Sequence, residues 1–277
     1  MPEFFNEKIK TYPNGKRIVI YCNKPIFSPK KDEEDGATEF VLDDSENTSD
    51  NDDSENEEEQ EKQPDIADIR RSMARAKARI FDIAFCNDWS YFLTITWDDS
   101  IIDSHNVKDV MKKLSTWLND RSKRDGLTYM IIPEYHKSGR VHMHGLINDA
   151  LDVMDSGTRT VKGFDKPVKL ATIRSMGLSK NVQDIVYNVP AWKYGFSTAV
   201  KVHGDPGALA TYVTKYMTKA TTKIFGKYYW SSAGLVREPE ISYGVIPWFD
   251  SIRLEEFCVP NTDIRLKYFT EMSMLRD

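Results

Sequence analysis

Apolar side chains recur along this chain in two rhythms, one near every second residue and one near every third or fourth, and the alternation between them sketches the elements. The run YFLTITW at 91–97, dense in aromatic and β-branched residues, predicts a central strand. LTYMIIPEY at 127–135 predicts a second strand and VHMHGLI at 141–147 a third, joined by the turn KSGR into an antiparallel hairpin. KRIVIY at 16–21 predicts a short strand near the N-terminus, with Phe4 and Phe5 expected to anchor that segment on the main domain. Further strands are expected within 187–202 and at YYWSS, 228–232. Helical spacing marks 66–84, where Ile66, Ile69, Met73, Ile80 and Ile83 form an apolar stripe, and also 107–118 and 208–220. Residues 151–184 are rich in turn formers and only weakly periodic. No repeat of solenoid or propeller length is present, so the pattern predicts an α+β fold with a central antiparallel sheet flanked by helices. The expected organisation is an N-terminal segment with a strand (1–29), an insertion or linker (30–65), a main domain (66–240) and an extension (241–277) packed on that domain.

Charge changes this picture. The chain of 277 residues has a formal net charge of -5, from 38 basic and 43 acidic side chains. Residues 32–68 hold 18 of the acidic residues and a single basic one, Lys62, so they alone carry -17. The remainder, with 37 basic and 25 acidic residues, is at +12. An acidic tract, too poor in apolar residues to repay ordering, hides a basic domain suited to a polyanionic partner. It reads as a solvated insertion or, alternatively, as an electrostatic gate over the basic surface. Cys22, Cys86 and Cys258 have no paired spacing, which argues against a disulfide framework and points to core filling in a reducing compartment. The start MPEFFNEKIK lacks the features of a signal peptide and no run approaches 18 apolar residues, so a soluble, cytoplasmic protein without a membrane partner is expected.

The candidate chemistry lies in two places. His142 and His144 are separated by one apolar residue, so a strand sends both imidazoles to one face, and Glu134 on the preceding strand comes alongside through the turn. Two imidazoles and a carboxylate make a three-ligand divalent metal site, with open positions for phosphate and water. The plain alternative is a pair of polar residues on an exposed sheet face. His136 competes as a ligand but falls in the turn, His105 and His203 read as surface residues, and Gly145 leaves room for a substrate backbone. The second place is YVTKYMTK at 212–219: on a helix, Tyr212, Lys215, Tyr216 and Lys219 occupy about one third of the circumference. Such a face suits phosphodiester cleavage by a tyrosine hydroxyl, with lysine stabilising the developing charge, although tyrosines packed beside solvated lysines would look the same.

Together, His142-Met143-His144 and the Tyr212, Lys215, Tyr216, Lys219 pattern resemble the metal and nucleophile motifs of HUH endonucleases, above all the rolling-circle replication initiators of phages and plasmids. YFLTITW at 91–97, IPEYH at 132–136 and YYWSSAGL at 228–235 add to the resemblance, which spans roughly residues 66–240. It implies a ferredoxin- or RRM-like core, with the histidines in the sheet and the tyrosine helix facing them. It also implies a nickase and strand transferase that attaches to the 5′ phosphate of single-stranded or locally melted origin DNA. Glu134, His142 and His144 then hold Mg2+ or Mn2+, Tyr212 and Tyr216 are the nucleophiles, and Lys215 and Lys219 assist. Order matters too: the histidine motif precedes the tyrosine motif, as in replication initiators, while conjugative relaxases usually reverse it. A host DNA polymerase and a separate helicase are implied partners, since the chain has no phosphate-binding loop of the GxxxxGK[ST] kind. The implied setting is a bacterial host cell, for a monomer or an oligomer. Arg70, Arg71, Arg75, Arg79, Lys223 and Lys227 are candidate DNA contacts, and Trp97, Trp192, Tyr229 and Trp230 candidate base-stacking groups. The alternatives are a non-catalytic DNA-binding replication or repressor protein and a transposase- or relaxase-type nickase.

Overall fold

The alternating segments of the chain pair into two antiparallel sheets, and the helical segments supply four α-helices among the described residues. The computed structural model describes residues 2–27, 66–136, 138–217, 223–224, 226–259 and 262–270. The acidic tract at 30–65, Lys219 and the side chain of Tyr216 lie outside the described residues. In chain order the strands are β1 (Phe4–Thr11), β2 (Arg17–Phe27), β3 (Tyr91–Ile95), β4 (Tyr129–Tyr135), β5 (Val141–Ile147), β6 (Met154–Val161) and β7 (Val168–Lys169). They continue as β8 (Val182–Asn188), β9 (Ser197–Lys201), β10 (Trp230–Ser231), β11 (Glu240–Gly244), β12 (Glu256–Cys258) and β13 (Arg265–Thr270). The helices are α1 (Ile66–Cys86), α2 (Val107–Asp125), α3 (Leu170–Ser175) and α4 (Pro206–Met217).

Residues 67–239 form one unit, built on the sheet β10-β4-β5-β3-β9-β8-β6-β7. Side-chain alternation gives this sheet two different faces. Leu93, Ile95, Ile131, Met143 and Ile147 point to one side, where they share a core with Val110, Leu114 and Leu118 of α2. That helix starts where the Asn106 side chain accepts the Asp109 N–H and stops at Gly126, whose φ of 74° few other residues adopt. The other face alternates buried Met130, Ile132 and Leu146 with Thr94, Glu134, His142 and His144. On this side α4 packs against β4, and α1 lies beside α4 with Ile80, Ile83 and Ala84 fully buried.

Two glycines permit close strand contact in this sheet. A Cβ on Gly145 would clash with the Met130 carbonyl oxygen and stand 2.6 Å from Ile131 Cδ1 and 2.9 Å from its Cα. The residue therefore serves strand packing and leaves no room for a substrate. A Cβ on Gly195, at φ +153°, would run into the Thr96 carbonyl oxygen and stand 2.7 Å from the Asp98 nitrogen, where Thr96 and Asp98 donate to the Phe196 and Tyr194 carbonyls at 2.9 Å.

The described residues from 2–27 and 240–270 form the second unit, a sheet in the order β11-β1-β2-β13-β12. In it the C-terminal extension pairs with the N-terminal strands, β11 with β1 and β13 with β2. Phe5 packs on Tyr243 in this sheet, with ring centroids 4.4 Å apart. Lys267 is buried here, and its ammonium donates to the Phe249 and Ile252 carbonyls at 2.9 Å each. Cys22 and Cys86 are buried as expected, but Cys258 is exposed, and all three are free thiols. The turn-rich stretch 151–184 contains β6, α3 and the start of β8, and YYWSS contributes only the two residues of β10.

Candidate active site

Register places the candidate ligands across adjoining strands. Glu134 of β4 stands opposite His142 of β5, and His144 stands between Ile132 of β4 and Thr94 of β3. His144 Nε2 lies 3.0 Å from Glu134 Oε2, and its Nδ1 lies 3.0 Å from the Thr94 hydroxyl. Both side chains are largely buried, 13% and 15% exposed, so the pair sits in a sheltered recess. The spacing suits a cation: bonds of about 2.1 Å meeting at a right angle bring two donors to about 3.0 Å from each other. His142 shares the face, but its ring stacks on His136 with centroids 5.1 Å apart. Burial, and after it the neighbouring His136, lowers the His142 imidazole below the ordinary histidine value, against the opposing pull of Glu134. The neutral ring keeps a lone pair for a metal at neutral pH.

Among the described residues, three donors lie within 4.8 Å of one another in the exposed group Asp99, Asp103 and His105, and not in Glu134, His142 and His144. The donors of the exposed group already have partners. Asp99 accepts from the Ser104 amide and hydroxyl at 3.2 and 2.6 Å and pairs with Arg140, while Asp103 accepts the His105 amide at 3.0 Å. These bonds shape a turn. His136 is exposed, its Nδ1 3.0 Å from the Ser138 hydroxyl, and His203 stands at the surface 3.7 Å from Asp184.

The tyrosine helix is on the same face as the histidines. The Tyr212 ring meets Phe92 edge-on at 5.2 Å, and Phe92 in turn stacks on His144 at 6.2 Å and 19° between planes. Tyr212 is 47% exposed and Lys215, one turn on, is exposed. Tyr216 continues the helix backbone. Residues 90–221 match the family model of replication-associated protein ORF2/G2P. The ORF2/G2P match runs from β3 through α4, so it takes in the histidine strands and the tyrosine helix together. It supports a role in the initiation of replication and, with it, DNA as the partner. No curated protein and no solved structure matches the chain.

Around the ORF2/G2P segment, several expected contact residues have other duties. Trp97 and Trp192 are 5% and 4% exposed and pack in the α2 core, their rings 4.8 Å apart, so neither can stack on a base. Trp230 is half-buried and packs against the same core. Tyr229 is half-buried. Arg79 is paired with Glu238, and Arg71 bridges Asp68 at 3.0 Å. Arg70 and Arg75 are exposed, as are Lys223 and Lys227, with the Lys223 ammonium 5.7 Å above the Tyr228 ring. Sequence reasoning passed over Phe92, Thr94 and Phe196. The last is 72% exposed, and alternation with buried Ser197 puts it on the histidine face. No helix among the described residues is long and apolar enough to cross a membrane.

Proposed function

We propose that the protein nicks one strand of a replication origin, becomes linked to its 5′ phosphate through tyrosine and later rejoins the strand. The observation that carries this reading is the ring contact from Tyr212 through Phe92 to His144, which ties the nucleophile helix to the candidate ligand strand. Glu134, His142 and His144 would hold a divalent cation, Mg2+ or Mn2+ by the family resemblance although two imidazoles and a carboxylate also suit zinc, and such a cation would polarise a scissile phosphate. Tyr212 Oη attacks phosphorus as its proton passes to solvent water, the bond from phosphorus to the 3′ oxygen breaks, and that oxygen takes up a proton from water. Lys215, one turn from Tyr212, stabilises the negative charge gathering on the phosphoryl oxygens. Tyr216, one turn after Tyr212 along the helix, would serve as a second nucleophile and attack while the first holds the cleaved strand. The exposed ring of Phe196 offers an unpaired base a stacking surface on the same face.

The test is an SDS-resistant adduct between the protein and single-stranded DNA carrying the cognate origin, formed in the presence of Mg2+ or Mn2+. The adduct is expected with the wild type and absent from the Tyr212→Phe/Tyr216→Phe double variant. Retention of cleavage by each single variant identifies interchangeable nucleophiles. No adduct from the wild type on a verified origin rejects nicking and leaves a DNA-binding protein.

A further inference from the structure

Between α1 and α4, on the histidine side of the sheet, runs an open groove of about 460 Å³ lined by Lys77, Ala78, Phe81, Thr211, Thr214 and Lys215. Its lining sets the apolar Ala78 and Phe81 beside one lysine from each helix, Lys77 of α1 and Lys215 of α4. The cationic line continues beyond the groove. Arg70 lies seven residues before Lys77 and about 20° from it around the helix, and the small Ala74 between them keeps that stripe low. On the α4 wall, Lys215 stands between the groove residue Thr211 and Tyr212, about 40° from the former and 60° from the latter. One lysine therefore borders both the groove and the nucleophile. The unit that contains them, residues 67–239, has 26 basic and 17 acidic side chains, a net of +9.

We infer that this groove is the channel for single-stranded DNA leading to Tyr212. Phosphates lie along Arg70, Lys77 and Lys215, and a base rests on the apolar Ala78 and Phe81. A flexible polyanion with flat apolar bases matches the alternation of cations and apolar surface along the groove. The inference rests on the nicking proposal only for the destination of the strand; the groove and its charge stand without it.

Fluorescence anisotropy with a labelled oligothymidylate of about 25 nucleotides tests the channel without any origin sequence. For the Arg70→Ala/Lys77→Ala double variant, the slope of log affinity against log salt is expected to fall by about 1.4, about 0.7 per lost phosphate contact. Between about 50 and about 200 mM salt this makes its loss of affinity about sevenfold smaller than that of the wild type. Ala78→Glu, which puts a carboxylate in the groove, is expected to weaken binding at least tenfold at low salt. Lys112→Ala/Lys123→Ala, two exposed lysines of α2 on the opposite face of the sheet, should keep the wild-type slope. An unchanged slope in the Arg70/Lys77 variant, an equal change in the α2 control, or no binding by the wild type overturns the inference. The adduct assay keeps the two ideas apart. Slope loss without an adduct upholds the channel and rejects nicking, and an adduct with an unchanged slope does the reverse.

Discussion

Thr94 holds the His144 imidazole by the nitrogen that a cation does not need. Nε2 faces Glu134 while Nδ1 lies 3.0 Å from the threonine hydroxyl; were Nε2 to give its lone pair to a metal, Nδ1 would carry the proton and the same hydroxyl would accept it. A valine of the same shape can do neither. Thr94→Val is expected to weaken Mn2+ binding about tenfold with the fold intact, measured by calorimetry or by the Mn2+ resonance signal. Unchanged affinity would show that the hydroxyl does not orient the ring. Residues such as His142, His144, Glu134 and Tyr212 were legible because period-two and helical geometry act within a few positions. Thr94 and Phe92 were not, since their roles arise from the register of β3 against β5, fifty residues away in the chain for Thr94 and His144. The tryptophans misled for a related reason: aromatic character favours stacking on bases and packing in a core alike, and only burial separates the two.

At the scale of elements, the loop from Asp98 to His105 braces the hairpin that carries Glu134 and His142. Asp99 grips Ser104 and pairs with Arg140, His105 Nε2 lies 3.2 Å from the Ser138 carbonyl, and the Val141 amide donates to the Ser104 carbonyl at 3.4 Å. The hydrogen bond from the Ser104 hydroxyl, above other causes, holds the Asp99 carboxyl below its ordinary value of 3.8. A carboxyl depressed in the folded state adds stability that is present above its unfolded value and lost as pH falls through the lower folded one. Asp99→Asn should therefore melt at a lower temperature than the wild type at neutral pH, and the gap should close as the pH drops below 3.8, followed by scanning calorimetry. A gap that persists or widens in acid would rule out the carboxylate as the source. The β4-β5 hairpin and α2 were readable from the sequence, for their periods are unbroken. Residues 154–188 were not, because irregular register between β6 and β8 at Asp155/Thr158 and Arg159/Val161 breaks the period-two signal on which a strand is recognised.

Across the whole molecule, the larger unit is one continuous stretch, residues 67–239, and it contains every described residue of the candidate site. A fragment of those residues is expected to unfold in a single cooperative thermal transition by circular dichroism. A broad, sloping melt would show that the stretch depends on the rest of the chain. The smaller unit has no such continuity, and this is why its composition escaped sequence reading. Strand spacing reveals that 16–21 can be extended, but nothing local says that β2 takes β13 as its neighbour.

The sheet drawn from both ends also sets an order of events at the ribosome. β1 and β2 leave the exit tunnel before the other strands of their sheet, and β11 follows only after about 200 further residues, which at about 5 to 20 residues per second takes roughly 10 to 40 seconds. Throughout that interval both edges of the hairpin are open, β1 awaiting β11 and β2 awaiting β13, and Phe27, still 69% exposed in the finished sheet, stands on β2. Meanwhile the middle of the chain can close around its histidine strands. Strands made early in this sheet are thus among the last to be fixed in place.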